Sequence, residues 1–145
     1  MGVMHSEATT LSDPALLRPP RGYRPVAWIG LAVSVLAIPA GLALILLDPT
    51  WHIPNLVVGA SAGLPTAVVG VVSSIALIRW RSWGQVLAIV ALSMSLAVGL
   101  SYGIVRLTLV PEGRPLLAVM AVLALTLNVI ALVFWCRPAI RDYLR

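Results

Sequence analysis

Apolar residues in this chain come in long unbroken runs, with neither the alternation of a half-buried strand nor the polar stripe of a soluble helix. Four runs stand out, from about Val26 to Leu47, Leu56 to Ile78, Gly84 to Val105 and Pro115 to Trp135, and none contains Asp, Glu, Lys or Arg. A helix needs about 20 mostly apolar residues to cross a bilayer core. Membrane strands would be shorter and would alternate, so the runs predict helices. Short connections predict that consecutive helices pack as antiparallel neighbours. The expected fold is an all-α integral membrane protein, a four-transmembrane-helix bundle, lying multi-pass in the cell (cytoplasmic) membrane.

The polar segments set the rest of the layout. Residues 1–25 are polar and Pro-rich, ending in "RPPRGYRP", and read as a disordered cytoplasmic N-terminal tail. Residues 26–136 form the transmembrane domain, and 137–145 a short basic cytoplasmic tail. A signal peptide is the rival reading of the start, with Arg before an apolar run and small residues at "AIPAGLA". That run is longer than a signal-peptide core, which favours an uncleaved span. The opening "MGVMHS" also fits an N-myristoylation pattern, against which the bacterial look of the chain counts.

All five tryptophans, Trp28, Trp51, Trp80, Trp83 and Trp135, fall near the span borders, where indole prefers the headgroup level. Arg18, Arg21 and Arg24 precede the first span, Arg79 and Arg81 sit in the second connection, and Arg137, Arg141 and Arg145 follow the last span. In a four-span chain these eight share one side, leaving Arg106 and Arg114 on the other. The positive-inside rule then puts both termini in the cytoplasm.

Composition agrees. The 145 residues are 60% hydrophobic and 10% charged, with a mean hydropathy of +1.00; soluble domains carry roughly 45–50% apolar residues. The net charge of +5 comes with ten Arg and no Lys, placed beside apolar runs, so it argues for topology and against nucleic acid. All-Arg usage with much Ala, Val, Gly and Leu points to a GC-rich genome, such as an actinobacterium or one of its phages. The single cysteine, Cys136, excludes an intrachain disulfide and a multi-cysteine metal site, and no cofactor or metal is expected.

One stretch invites a catalytic reading. Gly59-Ala60-Ser61-Ala62-Gly63 matches G-x-S-x-G, and Asp48 and His52 lie just upstream. A nucleophile elbow needs a sharp strand-to-helix turn, whereas Ser61 belongs about one and a half turns into a helix. Rhomboid-type membrane proteases place a G-x-S motif near a membrane face, but their histidine comes from a separate helix, and no span here contains one. The favoured reading is packing and no catalysis. Gly59 and Gly63 form GxxxG, Ala67 and Gly70 continue that face, and the third span repeats the device with Ser95, Gly99 and Gly103. Gly30, Ser34, Ala37 and Gly41 in the first span, and Ala118, Ala121 and Ala124 in the fourth, offer further small faces.

Asn128 is the most polar residue at membrane depth and should bond across helices to Ser73, Ser74 or Ser93. Pro39 and Pro65 lie mid-span and can kink their helices. Tyr102 reads as an interfacial anchor and Cys136 as inert. The two halves carry a faint echo, "RPVAWIGLAV" against "RSWGQVLAIV". The junction "IALIRWRSWGQVLAIVAL" resembles the second-to-third span junction of small four-span actinobacterial membrane proteins, which implies topology and nothing catalytic.

Four functions fit unequally. The first is a non-enzymatic accessory or regulatory membrane subunit, partnered by the bilayer and by another membrane or cytoplasmic protein or by itself as a homo-oligomer. The second is a small oligomeric transporter or channel; four-span multidrug transporters resemble the chain in topology, but their embedded glutamate is missing, since Glu7 and Glu112 lie outside the spans. The third is a phage-derived protein, for prophage defence or holin-like lysis. The fourth, hydrolysis at Ser61, is the least supported.

Overall fold

The computed structural model describes residues 19–109 and 114–144, and the regular structure among them is entirely helical. The tail before residue 19, with His5 and Arg18, and Glu112 and Arg145 lie outside the described residues. Four helices are long and apolar enough to cross a membrane: α1 (Tyr23–Leu47), α2 (His52–Ile78), α3 (Ser82–Leu109) and α4 (Arg114–Trp135). A short fifth, α5, covers Pro138–Tyr143.

The boundaries move where side chains extend a helix beyond its apolar run. α1 starts at Tyr23 rather than Val26, and α2 at His52 rather than Leu56. Pro54 is tolerated there because the first turn leaves its backbone N–H groups unbonded in any case. Pro39 sits inside α1 without ending it. Pro65 leaves a larger mark. Upstream of it, Gly59–Gly63 winds as a π-turn, with the Leu64 N–H bonded to the Gly59 carbonyl. A proline ring crowds the carbonyl four residues back and supplies no N–H; one wide turn before it relieves both problems. GASAG is therefore helical, as its apolar setting predicts, but as a π-turn.

Each long helix packs chiefly on its neighbour in sequence: α1 on α2, α2 on α3, α3 on α4. α2 is the centre, with 33% of its most apolar stretch buried against 0% for α4. The α1–α2 seam is narrow because small residues face each other. A methyl added at Gly70 would collide with Ser34, one at Gly30 would meet the Ser74 hydroxyl at 3.2 Å, and one at Gly59 would sit 2.9 Å from Ile45 Cδ1. The α2–α3 seam is closest at Gly84, where an added Cβ would lie 2.8 Å from Ala76 Cβ and 2.9 Å from the Leu77 nitrogen.

Other small residues look elsewhere. Around Gly63 only the Val58 carbonyl of its own helix is near, at 3.7 Å; Gly99 makes ordinary contact with Leu125 at 3.8 Å; Gly103 faces open space; Ser95 is exposed. Asn128 departs from its expected role: its Oδ1 is buried with no partner, while Ser73 donates to Gly70 O of its own helix.

The end that carries the described termini is closed by a core of Tyr23, Ala27, Leu77, Ala88, Trp135 and Ile140. The expected basic tail is part of it. α5 folds back so that Ile140 is 1% exposed and Tyr143 meets both Tyr23 and Trp80 edge-on. Tyr23 stacks on Trp80 with ring centroids 4.8 Å apart, and its hydroxyl donates to Leu77 O at 2.8 Å. Gln85, also buried, donates to Trp135 O at 2.6 Å. Trp80 adopts φ 59 at the end of α2, with its N–H on Leu77 O and the Arg81 N–H on Ala76 O. This is the Schellman closure, which normally uses glycine. A side chain there costs about 1–2 kcal/mol, offset here by the stack on Tyr23.

Candidate functional site

The opposite end is built on polar side chains. α1 ends at Leu47, so the carbonyls of its last four residues lack intrahelical partners. The chain turns through Asp48–Trp51, and the first turn of α2 brings donors back to them. His52 Nδ1 lies 2.7 Å from Ile45 O, and Asn55 Nδ2 donates to Leu44 O at 3.1 Å. A carbonyl can only accept, so His52 carries a proton on Nδ1. Asp48 Oδ1 accepts from the Trp51 N–H at 3.3 Å, which shapes the turn.

α3 completes the cluster. Tyr102 and Arg106 stand one turn apart on its last part, so both reach the same spot. The Tyr102 hydroxyl donates to Asn55 Oδ1 and accepts from Arg106 Nη1 at 3.2 Å. Arg106 Nη2 reaches Asp48 Oδ2 at 2.7 Å, and the guanidinium lies 5.9 Å from the centre of the Trp51 ring. Asn55 is 3% exposed, while the side chains of Arg106 and Asp48 are 21% and 22% exposed. One chain of bonds thus ties the end of α1, the turn, α2 and α3. Arg106 Nε is buried without a partner.

Below this cluster α2 and α3 separate around an open groove of about 380 Å³. Its walls are mainly apolar, including Trp51, Val58 and Ala97, with the hydroxyls of Ser61, Ser101 and Tyr102 as its polar features. Ser61 lies in the π-turn, and its hydroxyl donates to Val57 O at 2.5 Å. The three residues that suggest a triad are each engaged elsewhere: Ser61 with Val57, His52 with Ile45, Asp48 with Arg106.

The tryptophans divide into two groups. Trp28 and Trp83 point outward, 58% and 48% exposed. Trp80 and Trp135 join the aromatic core, and Trp51 lies under Arg106. Tyr102, expected as an anchor, is a link in the polar chain. The signal for it was present, since Tyr102 and Arg106 stand four apart with Asp48 and Asn55 flanking the turn they would face. Gly84 and Gln85 open the third apolar run, and their close contacts have no signature in a single sequence. No protein-family model, curated protein or solved structure matches the chain.

Proposed function

We propose that this chain is a small integral membrane protein without catalysis of its own, both termini cytoplasmic, acting through helix contacts as an accessory or regulatory subunit. The observation that carries the reading is α4. It packs chiefly on α3, with Trp135 at its end meeting Tyr23 of α1, and Leu116, Val119, Leu123, Leu127 and Ile130 are all more than half exposed. A span held on one side offers the rest of its perimeter to lipid or to a partner's helix.

Charge placement supports the orientation. Arg21, Arg24, Arg79, Arg81, Arg137 and Arg141 stand at the end carrying the described termini, against Arg106 and Arg114 at the other. The Asp48–Arg106 pair lowers the opposite end's net positive charge further. Cys136, the sole cysteine and exposed, gives a native probe. A membrane-impermeant maleimide should label it in opened cells and leave it unlabelled in intact ones; labelling of intact cells would reverse the orientation.

Affinity capture from native membranes in mild detergent tests the role. A stoichiometric membrane or cytoplasmic partner, lost when α4 carries a bulky Leu123→Trp or Leu127→Trp, is the expected result. Recovery of the protein alone, as a defined oligomer, would replace the accessory reading with a pore-forming one.

A further inference from the structure

The end that carries the described termini holds six arginines and, among the described residues, one acid, Asp142. Asp142 lies 3.9 Å from Arg141, and among the described residues the other five guanidiniums form no ion pair. They are not scattered. Arg24 lies over Trp80 at 5.6 Å, and Arg79 and Arg81 flank that indole in sequence. Arg137 lies over Phe134 at 5.4 Å, the ring that also approaches Gly22, next to Arg21. Beneath both groups is one connected set of rings: Phe134 on Trp135, Trp135 on Tyr23, Tyr23 on Trp80.

This arrangement does more than fix orientation. Topology needs charge on the correct side, with no requirement on geometry. Here two guanidiniums rest on rings, which restricts the side chain and leaves the N–H edges free. A planar guanidinium with free edges suits a phosphate, which it can grip through two parallel bonds. Trp80 occupies its glycine-type position at a cost, and doing so keeps the platform whole.

We infer that this end is a seat for anionic phospholipid headgroups, with phosphates held at Arg24–Arg79–Arg81 around Trp80 and at Arg21–Arg137 beside Phe134. The inference rests on the membrane reading above, with this end in the leaflet rich in anionic lipid. Each guanidinium near such a surface contributes about fivefold to lipid retention at moderate salt.

The test uses the full chain in phosphatidylcholine vesicles doped with phosphatidylglycerol. Flotation reports insertion; copolymer extraction followed by lipid mass spectrometry reports the lipid ratio around the protein. Phosphatidylglycerol should be enriched over the bulk ratio, fall toward bulk at high salt, and fall in R24Q/R79Q/R81Q/R137Q but not in R114Q at the opposite end. A protein that floats with the bulk lipid ratio, or whose enrichment ignores salt and all four substitutions, overturns the inference while leaving insertion intact. A protein that fails to float even with pure phosphatidylcholine overturns both.

Discussion

The two ends of the helix layer solve the same problem with different physics. At the end carrying the described termini, α1, α2, α3, α4 and α5 converge on stacked rings and buried aliphatic side chains, with two buried hydrogen bonds from Tyr23 and Gln85. At the other end three helices are tied by a chain of polar groups running from Leu44 O through Asn55, Tyr102 and Arg106 to Asp48, with His52 on Ile45 O beside it. The first kind of closure is insensitive to salt and depends on shape. The second is directional, partly exposed to solvent, and bounded by a groove. If α2 and α3 separate anywhere, the polar end is where little apolar contact opposes it.

Removing Tyr23 should have the largest effect. Tyr23→Ala deletes a side chain that is 1% exposed, empties the stack on Trp80 and leaves Leu77 O with the Trp80 N–H as its donor. Truncating a buried aromatic costs about 3–4 kcal/mol. Thermal unfolding in detergent should show a loss of that size, unchanged by added salt, with hydrogen exchange faster at the ends of α1 and α2 near Tyr23 and Leu77. Loss of protection spread equally to the Asp48 turn would mean that the two ends do not behave as separate units.

Gly84→Val comes next. The new side chain would meet Ala76 Cβ and the Leu77 nitrogen inside normal contact distance. Backbone cannot give way as a flexible side chain can, and overpacking of this kind costs about 2 kcal/mol. The matched change Gly103→Val, into open space, should cost little. Equal losses at the two positions would refute the close approach at the α2–α3 seam.

How far this was legible follows from what each feature depends on. The four long apolar helices depend on hydropathy, and the apolar runs mark them to within four residues at each end. Their packing order depends on short connections, which are also visible. The seams are different. Every span carries small residues on more than one face, so the motif at Gly59 and Gly63 looks no weaker than Gly70, yet Gly63 has only its own helix nearby. The α5 helix hides in "CRPAIRDYLR" because charge dominates the segment. Only the spacing of Ile140, Tyr143 and Leu144 shows that one side of it is apolar. The polar end is masked for the opposite reason: Asp48, His52 and Ser61 invite a catalytic reading, while their actual partners are Arg106, Ile45 and Val57, and the four-residue spacing of Tyr102 and Arg106 is the visible mark of the bond chain.

At the polar end the effects should be moderate and salt-dependent. Asp48→Asn and Arg106→Gln should each cost about 1 kcal/mol, and the double variant less than the sum, because the pair is partly exposed and screened. Unfolding at low and high ionic strength checks this. A full additive loss would show that the two groups stabilise the turn independently of each other.

The smallest effect should come from Asn128, and a second asparagine makes it informative. Asn55 and Asn128 carry the same amide, but Asn55 uses both of its ends, on Leu44 O and on the Tyr102 hydroxyl. Asn55→Leu takes the donor from Leu44 O and the acceptor from the Tyr102 hydroxyl, which keeps its bond from Arg106, at a cost of about 2 kcal/mol. Asn128 has a buried Oδ1 with nothing to accept from. Asn128→Leu removes an unsatisfied acceptor and adds apolar contact, so stability should stay level or rise by up to about 1 kcal/mol. Detergent unfolding of the two variants side by side separates position from residue type. If Asn128→Leu destabilised as much as Asn55→Leu, the Asn128 amide would have to be bonded across helices after all, giving α4 a further polar tie besides Gln85 on Trp135 O. If it did not, apolar contact and the Gln85 bond are what hold α4, which fits the proposal that its outer face meets a partner.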